Sequence, residues 1–113
     1  MTKTSLDVTT EALRTINVLA VDESASAADH ARAKSHLEAI YAELDETDGA
    51  AMDWTIETVP DRLFLHLARA VAGSVSTAYE KAEYSGLYDS GMKGIRRGEF
   101  DNEYREPTRA NFF

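Results

Sequence analysis

From Val59 to Ala72 the chain is almost continuously apolar. Leu63, Phe64, Leu67, Ala68, Val71 and Val75 fall at helical spacing on one wide stripe. Leu65, Ala70 and Ala72 widen that stripe. Arg62, His66 and Arg69 stand at i, i+4 and i+7, one narrow polar face. A helix apolar over most of its circumference belongs at the centre of a bundle. Thr58 is placed to cap it, Pro60 suits its first turn, and Asp61 complements the positive end of its dipole. The stretch is too short and too charged to cross a membrane.

The rest of the chain supplies elements to pack around this helix. Residues 1–4 are expected to fray. Ser5 or Asp7 caps a first helix running to about Asn17, with Leu6, Ala12, Leu13 and Ile16 inward and Thr9, Thr10, Arg14 and Thr15 facing water. Turn formers follow at Val21-Asp22-Glu23-Ser24. Ser26 with Asp29 resembles a capping box and opens a second helix over 27–45, with Ala33, Leu37, Ile40, Tyr41 and Leu44 as its stripe. In 50–58, Met52, Trp54 and Ile56 alternate with polar residues, which predicts an extended connector anchored by Trp54.

After the central helix, Gly73-Ser74-Val75-Ser76 marks either a break, the preferred reading, or a bend in one long helix. A fourth helical segment from Thr77 to Arg97 carries Tyr84, Leu87 or Tyr88, Gly91 and Ile95 on one stripe. Gly86, Gly91, Gly94 and Gly98 weaken it by up to about 1 kcal/mol each relative to alanine inside a helix. Glycines kept in such a helix point to close approach by another backbone, or else to a segment that frays early and orders on binding. The expected class is all-α: a bundle of about four helices, 1–97, followed by an extended arm, 98–113. The arm has Pro107 and no periodicity, yet four aromatics, and sixteen extended residues reach roughly 50 Å. Its composition suits docking rather than plain disorder.

Composition narrows the function. The 113 residues fit one domain, and a 43% apolar content suffices for one modest core. Lys3 is followed by no apolar run, so no secretory signal is expected. Without cysteine there is no disulfide, thiol chemistry or cysteine metal site. The net charge of −8 lies wholly in residues 1–85, and residues 86–113 balance. Apart from His36, no basic side chain falls between Ser35 and Asp61, while Glu38, Glu43, Asp45, Glu46, Asp48, Asp53, Glu57 and Asp61 are acidic. Such a surface repels phosphate backbones.

Motifs for chemistry are missing. No His-x-x-x-His pair exists among His30, His36 and His66, and Asp45-Glu46-Thr47-Asp48-Gly49 lacks the calcium-loop order. Gly91-Met92-Lys93-Gly94 is no phosphate loop, and no Gly-x-Ser-x-Gly elbow occurs. The chain reads as a non-enzyme without metal or cofactor. Arg62, His66 and Arg69 form a candidate subunit interface, their acidic partners coming from 38–57 of the same chain or of a neighbouring copy.

The order of features resembles the head-to-tail adaptors (connector or tail accessory proteins) of tailed bacteriophages and gene transfer agents. It comprises Glu11-Ala12-Leu13-Arg14-Thr15-Ile16-Asn17-Val18, a helix ending Leu37-Glu38-Ala39-Ile40-Tyr41-Ala42-Glu43-Leu44, and an extended tryptophan-containing segment. Val59-Pro60 then leads into an alanine-rich core helix, and Ala82-Glu83-Tyr84-Ser85-Gly86-Leu87 comes last. The resemblance spans about 5–97. It departs in the tryptophan, which sits at Trp54 rather than at the end of the second helix, and in the glycine-rich last helix.

The resemblance implies a structural virion protein assembled in the host cytoplasm. It would be a homo-oligomeric ring, commonly of twelve copies, under the portal protein at the head-tail interface. The ring continues the DNA channel, DNA passing without specific binding, and meets a downstream tail or stopper protein; no membrane is involved. The arm would dock on the portal through Phe100, Tyr104, Arg105, Arg109, Phe112 and Phe113, since aromatics and arginine suit such anchors. The runner-up is a small acidic helical regulatory module that sequesters a basic protein partner.

Overall fold

The computed structural model describes residues 2–20, 23–47 and 54–97. Among them the chain is mostly helical, with one two-stranded ribbon. Its elements are β1 (Thr2–Lys3), α1 (Ser5–Thr15), α2 (Ala27–Thr47), β2 (Val59–Pro60), α3 (Asp61–Val75) and a last helix, α4, over 87–97. The all-α reading holds.

α3 is the hub. Leu63, Leu67, Ala70, Val71 and Val75 are fully buried, against α1 on one side and α2 on another. Val8 and Ala12 of α1, Ile16 just past its end, and Ala33, Leu37, Ile40 and Leu44 of α2 complete the core with Trp54, Val59, Met92 and Ile95. Each fully buried leucine or valine contributes roughly 1.5–3 kcal/mol. One expected member of the α3 stripe is not there: Leu65 is 53% exposed, because none of the described elements packs at its phase of the helix.

Several ends differ from expectation. Thr4, not Ser5 or Asp7, caps α1: its hydroxyl accepts from Asp7 N–H while the Asp7 carboxylate accepts from Thr4 N–H, a complete capping box. Thr2–Lys3 does not fray but pairs antiparallel with Val59–Pro60. Thr9 is buried rather than wet, its hydroxyl donating to the Leu6 carbonyl. Asn17, at φ 63°, ends the α1 region in a left-handed turn. Thr58 does not cap α3, whose N-cap Pro60 has no side-chain hydrogen bond; the Thr58 hydroxyl instead accepts from Thr55 N–H and closes a turn. Residues 55–58 are therefore folded back rather than fully extended. Ser26 does accept from Asp29 N–H, and Trp54 is the anchor, 2% exposed, with the Tyr41 ring edge against it.

The chain breaks after α3. A 3-10 turn at Ser76–Tyr79 ends at Glu80 in left-handed conformation, a second covers Ala82–Tyr84, and α4 begins ten residues later than Thr77. α4 then returns antiparallel along α3. A Cβ on Gly73 would run into the Tyr88 amide nitrogen and the Leu87 carbonyl carbon, and one on Gly91 would lie 2.5 Å from Ala70 N and from His66 O. The expected close backbone approach is this one, between α3 and α4.

Two substitutions separate that constraint from ordinary glycine entropy. Gly91→Ala should destabilise by about 1–3 kcal/mol, because two backbones must separate. Gly86→Ala meets nothing within 4 Å and should stay within about 0.5 kcal/mol of the parent. Urea denaturation of both variants checks the pair.

Candidate functional site

α2 presents a core stripe, two polar flanks and an outer face. Ala33, Leu37, Ile40 and Leu44 point into the core. On one flank Asp29, His36 and Glu43 follow at seven-residue intervals, so they line one edge of that stripe. Each ties α2 to the C-terminal half of the chain. Tyr79 O–H donates to Asp29 Oδ1 at 2.7 Å, His36 Nδ1 lies 2.7 Å from Ser74 Oγ, and Tyr88 O–H donates to Glu43 Oε1 at 2.6 Å. The Arg32 guanidinium lies over the Tyr79 ring, 5.2 Å from its centroid. Arg96 pairs with Glu43 at 3.5 Å.

The other flank of α2, His30, Lys34 and Tyr41, holds the N-terminal half. Thr9 Oγ1 is 2.8 Å from His30 Nδ1; since the Thr9 proton goes to Leu6, His30 Nδ1 is the donor. Tyr41 O–H donates to the Trp54 carbonyl at 2.6 Å. The Glu57 carboxylate accepts from Ser5 N–H and Ser5 O–H, with Lys34 at 3.8 Å. These bonds, the Ser5 hydroxyl first, hold the Glu57 carboxyl below its ordinary pKa. Its contribution is therefore in place above the ordinary carboxylate range and is lost as pH falls through the depressed value. Both seams escaped sequence reading; their signal was hydrogen-bonding residues at helical spacing beside an apolar stripe, seven apart on one flank and four and seven apart on the other.

The outer face of α2 carries Glu38, Ala39, Ala42, Asp45 and Glu46, all exposed. On α3, Arg62 and Arg69 are exposed but His66 is half-buried, its ring against Gly94 of α4 and its Nδ1 3.4 Å from Arg69 Nη1. The expected polar face is thus split: Arg62, Leu65 and Arg69 look outward, and His66 belongs to the α3–α4 contact. Among the described residues no acid pairs with Arg69. The docking residues Phe100, Tyr104, Arg105, Arg109, Phe112 and Phe113 lie outside the described residues.

Among the described residues no group of three His, Asp or Glu side chains could hold a metal ion, and no helix is long and apolar enough to cross a membrane. The polar side chains that come together do so to join helices. The arrangement suits a rigid body that presents surfaces.

No family model, curated protein or solved structure matches this chain.

The Tyr88–Glu43 bond gives the α2 seam a readable signal. The carboxylate that accepts the phenol proton, helped by partial burial, pushes Tyr88 up to about 12. A raised phenol pKa stabilises the fold fully below the unfolded value of about 10, and that contribution is lost as pH climbs through the folded one. Burial and the bond to Asp29 also raise the Tyr79 phenol, so tyrosinate absorbance of the folded protein should show late titration from both, and the Tyr88 step is the one that depends on Glu43. Glu43→Gln should bring it back toward the ordinary range; an unchanged titration would mean that Glu43 does not hold the proton.

Proposed function

We propose that the chain is a structural, non-enzymatic adaptor of a tailed-phage virion. It forms a ring under the portal, joins head to tail, and docks through residues 98–113. The observation that carries this reading is the order of its elements. A first helix and a long second helix are followed by a connector whose tryptophan is clamped to the second helix by Tyr41. Val59–Pro60 then leads into an alanine-rich helix at the centre of the bundle. This is the layout on which the resemblance to head-to-tail adaptors rests.

The physical character of the described part supports the same role. Hydrogen bonds along both flanks of α2 bind it to the elements before and after it, which suits a body that must transmit load without yielding. The acidic outer face of α2 suits a wall past which DNA slides without sticking, since like charge opposes retention of phosphate. The arm's arginines and aromatics suit a partner surface built by another protein.

Affinity purification of the tagged chain from cells that make its native partners, followed by electron microscopy, tests the proposal. Rings stacked on a larger portal-like ring are the expected result. Deleting 98–113 should abolish stacking, and added salt should weaken it little, because aromatic docking is not screened. A chain recovered with a single basic protein, in a complex that salt dissolves, would contradict the adaptor reading and favour the regulatory one.

A further inference from the structure

The bundle is charge-polarised. α2 holds five acids against two bases, whereas α3 and α4 together hold five bases against two acids. Two stripes among the exposed residues match in spacing. On α2, Glu38, Ala42 and Asp45 stand at i, i+4 and i+7; on α3, Arg62, Leu65 and Arg69 stand at i, i+3 and i+7, and all six are exposed.

The stripes cannot meet within one chain. The α2 stripe lies on the helix side opposite Ala33, Leu37, Ile40 and Leu44, which enter the core. Leu65 lies nine residues from Ser74, a half-circle around the helix, and Ser74 is the α3 residue bonded to His36 of α2. The α3 stripe therefore looks away from α2, and the α2 stripe looks away from α3.

Laid antiparallel, the two stripes share one register. Steps of three and four residues lead from Arg62 to Leu65 to Arg69, and the same steps lead backwards from Asp45 to Ala42 to Glu38. Arg62 then faces Asp45, Arg69 faces Glu38, and Leu65 lies on Ala42. At about 1.5 Å rise per residue, the charges of each stripe are roughly 10 Å apart. Ala42 is small enough to seat the leucine, and Leu65 is one of two large hydrophobic side chains exposed among the described residues.

We propose that copies of this chain join head to tail, with Arg62, Leu65 and Arg69 of one lying antiparallel on Glu38, Ala42 and Asp45 of the next. Each copy offers one stripe of each kind on opposite sides, so the contact repeats and gives a ring if the rotation closes. For its biological use this joint rests on the adaptor reading, which it deepens by naming the surfaces between subunits.

The absence of native cysteine allows a direct test. A chain carrying both Leu65→Cys and Ala42→Cys, treated briefly with a short bismaleimide at low salt, should give a ladder of dimers, trimers and larger species. Either cysteine alone should give none. Circular dichroism of each variant, unchanged from the parent, secures the fold. In sedimentation experiments Arg69→Glu and Glu38→Lys should each weaken association roughly tenfold, the effect of about 1.4 kcal/mol. Mixing the two variants should restore it, because each then meets its complement at both joints.

Dimers from Leu65→Cys alone would mean a symmetric contact and overturn the proposal. So would a parent chain that stays monomeric at millimolar concentration and low salt with no ladder from the double variant. Association that neither charge reversal alters would also overturn it, placing the joint elsewhere. Capture of added nucleic acid through Arg69, without a ladder, would reassign the basic stripe and overturn it too. Portal-bound rings without a ladder would sink the joint and leave the adaptor role; a ladder without portal binding would do the reverse.

Discussion

The bundle depends on how closely the backbone of α4 approaches that of α3. α3 has apolar residues around most of its circumference and needs neighbours around most of it. α1 and α2 supply two of them. The third side carries His66, Ala70 and Gly73, too small a relief for large knobs, and is covered by a helix that brings Gly91 and Gly94 to it. The glycines that weaken α4 as an isolated helix are the residues that let it serve as a wall. Their cost in helix propensity is offset by burial of Met92 and Ile95.

α2 holds the assembly from outside that core. Its apolar stripe seals the bundle, and its two polar flanks reach in opposite directions along the chain. Asp29, His36 and Glu43 take hold of Tyr79, Ser74 and Tyr88, while His30, Lys34 and Tyr41 take hold of Thr9, Glu57 and Trp54. Each bond is worth only about 1 kcal/mol net. Distributed over the length of the helix, they fix its rotation, and so fix which residues α2 turns outward. The acidic outer face is a consequence of that rotation, as the outward Arg62–Leu65–Arg69 stripe is of α3 having neighbours on every side but one.

Much of this was legible in the sequence where it depended on period and spacing. The stripes of α2 and α3, the Ser26 cap, the Trp54 anchor, the break after Val75 and the need for a backbone near the α4 glycines all follow from local pattern. What was not legible depended on distant partners. Thr9 counts as polar until the Leu6 carbonyl and His30 satisfy its hydroxyl. Thr2–Lys3 looks like a frayed end until Val59–Pro60 lies beside it. Leu65 looks like core until none of the described elements proves to pack at that phase of α3, and His66 looks like surface until Gly94 leaves room for its ring. Of the candidate interface, Arg62 and Arg69 were legible as outward cations; the proposed register with Glu38, Ala42 and Asp45 needed the helix phases.

Native-state hydrogen exchange of the α3 and α4 amides tests most directly whether α4 is a structural wall of the core. If backbone approach at Gly73 and Gly91, with the His66 ring seated on Gly94, locks the two helices together, amides of 90–95 should exchange by the same cooperative opening as those of 67–72, with matching protection. Amides of α4 that exchange as fast as a free peptide, while α3 stays protected, would contradict the account.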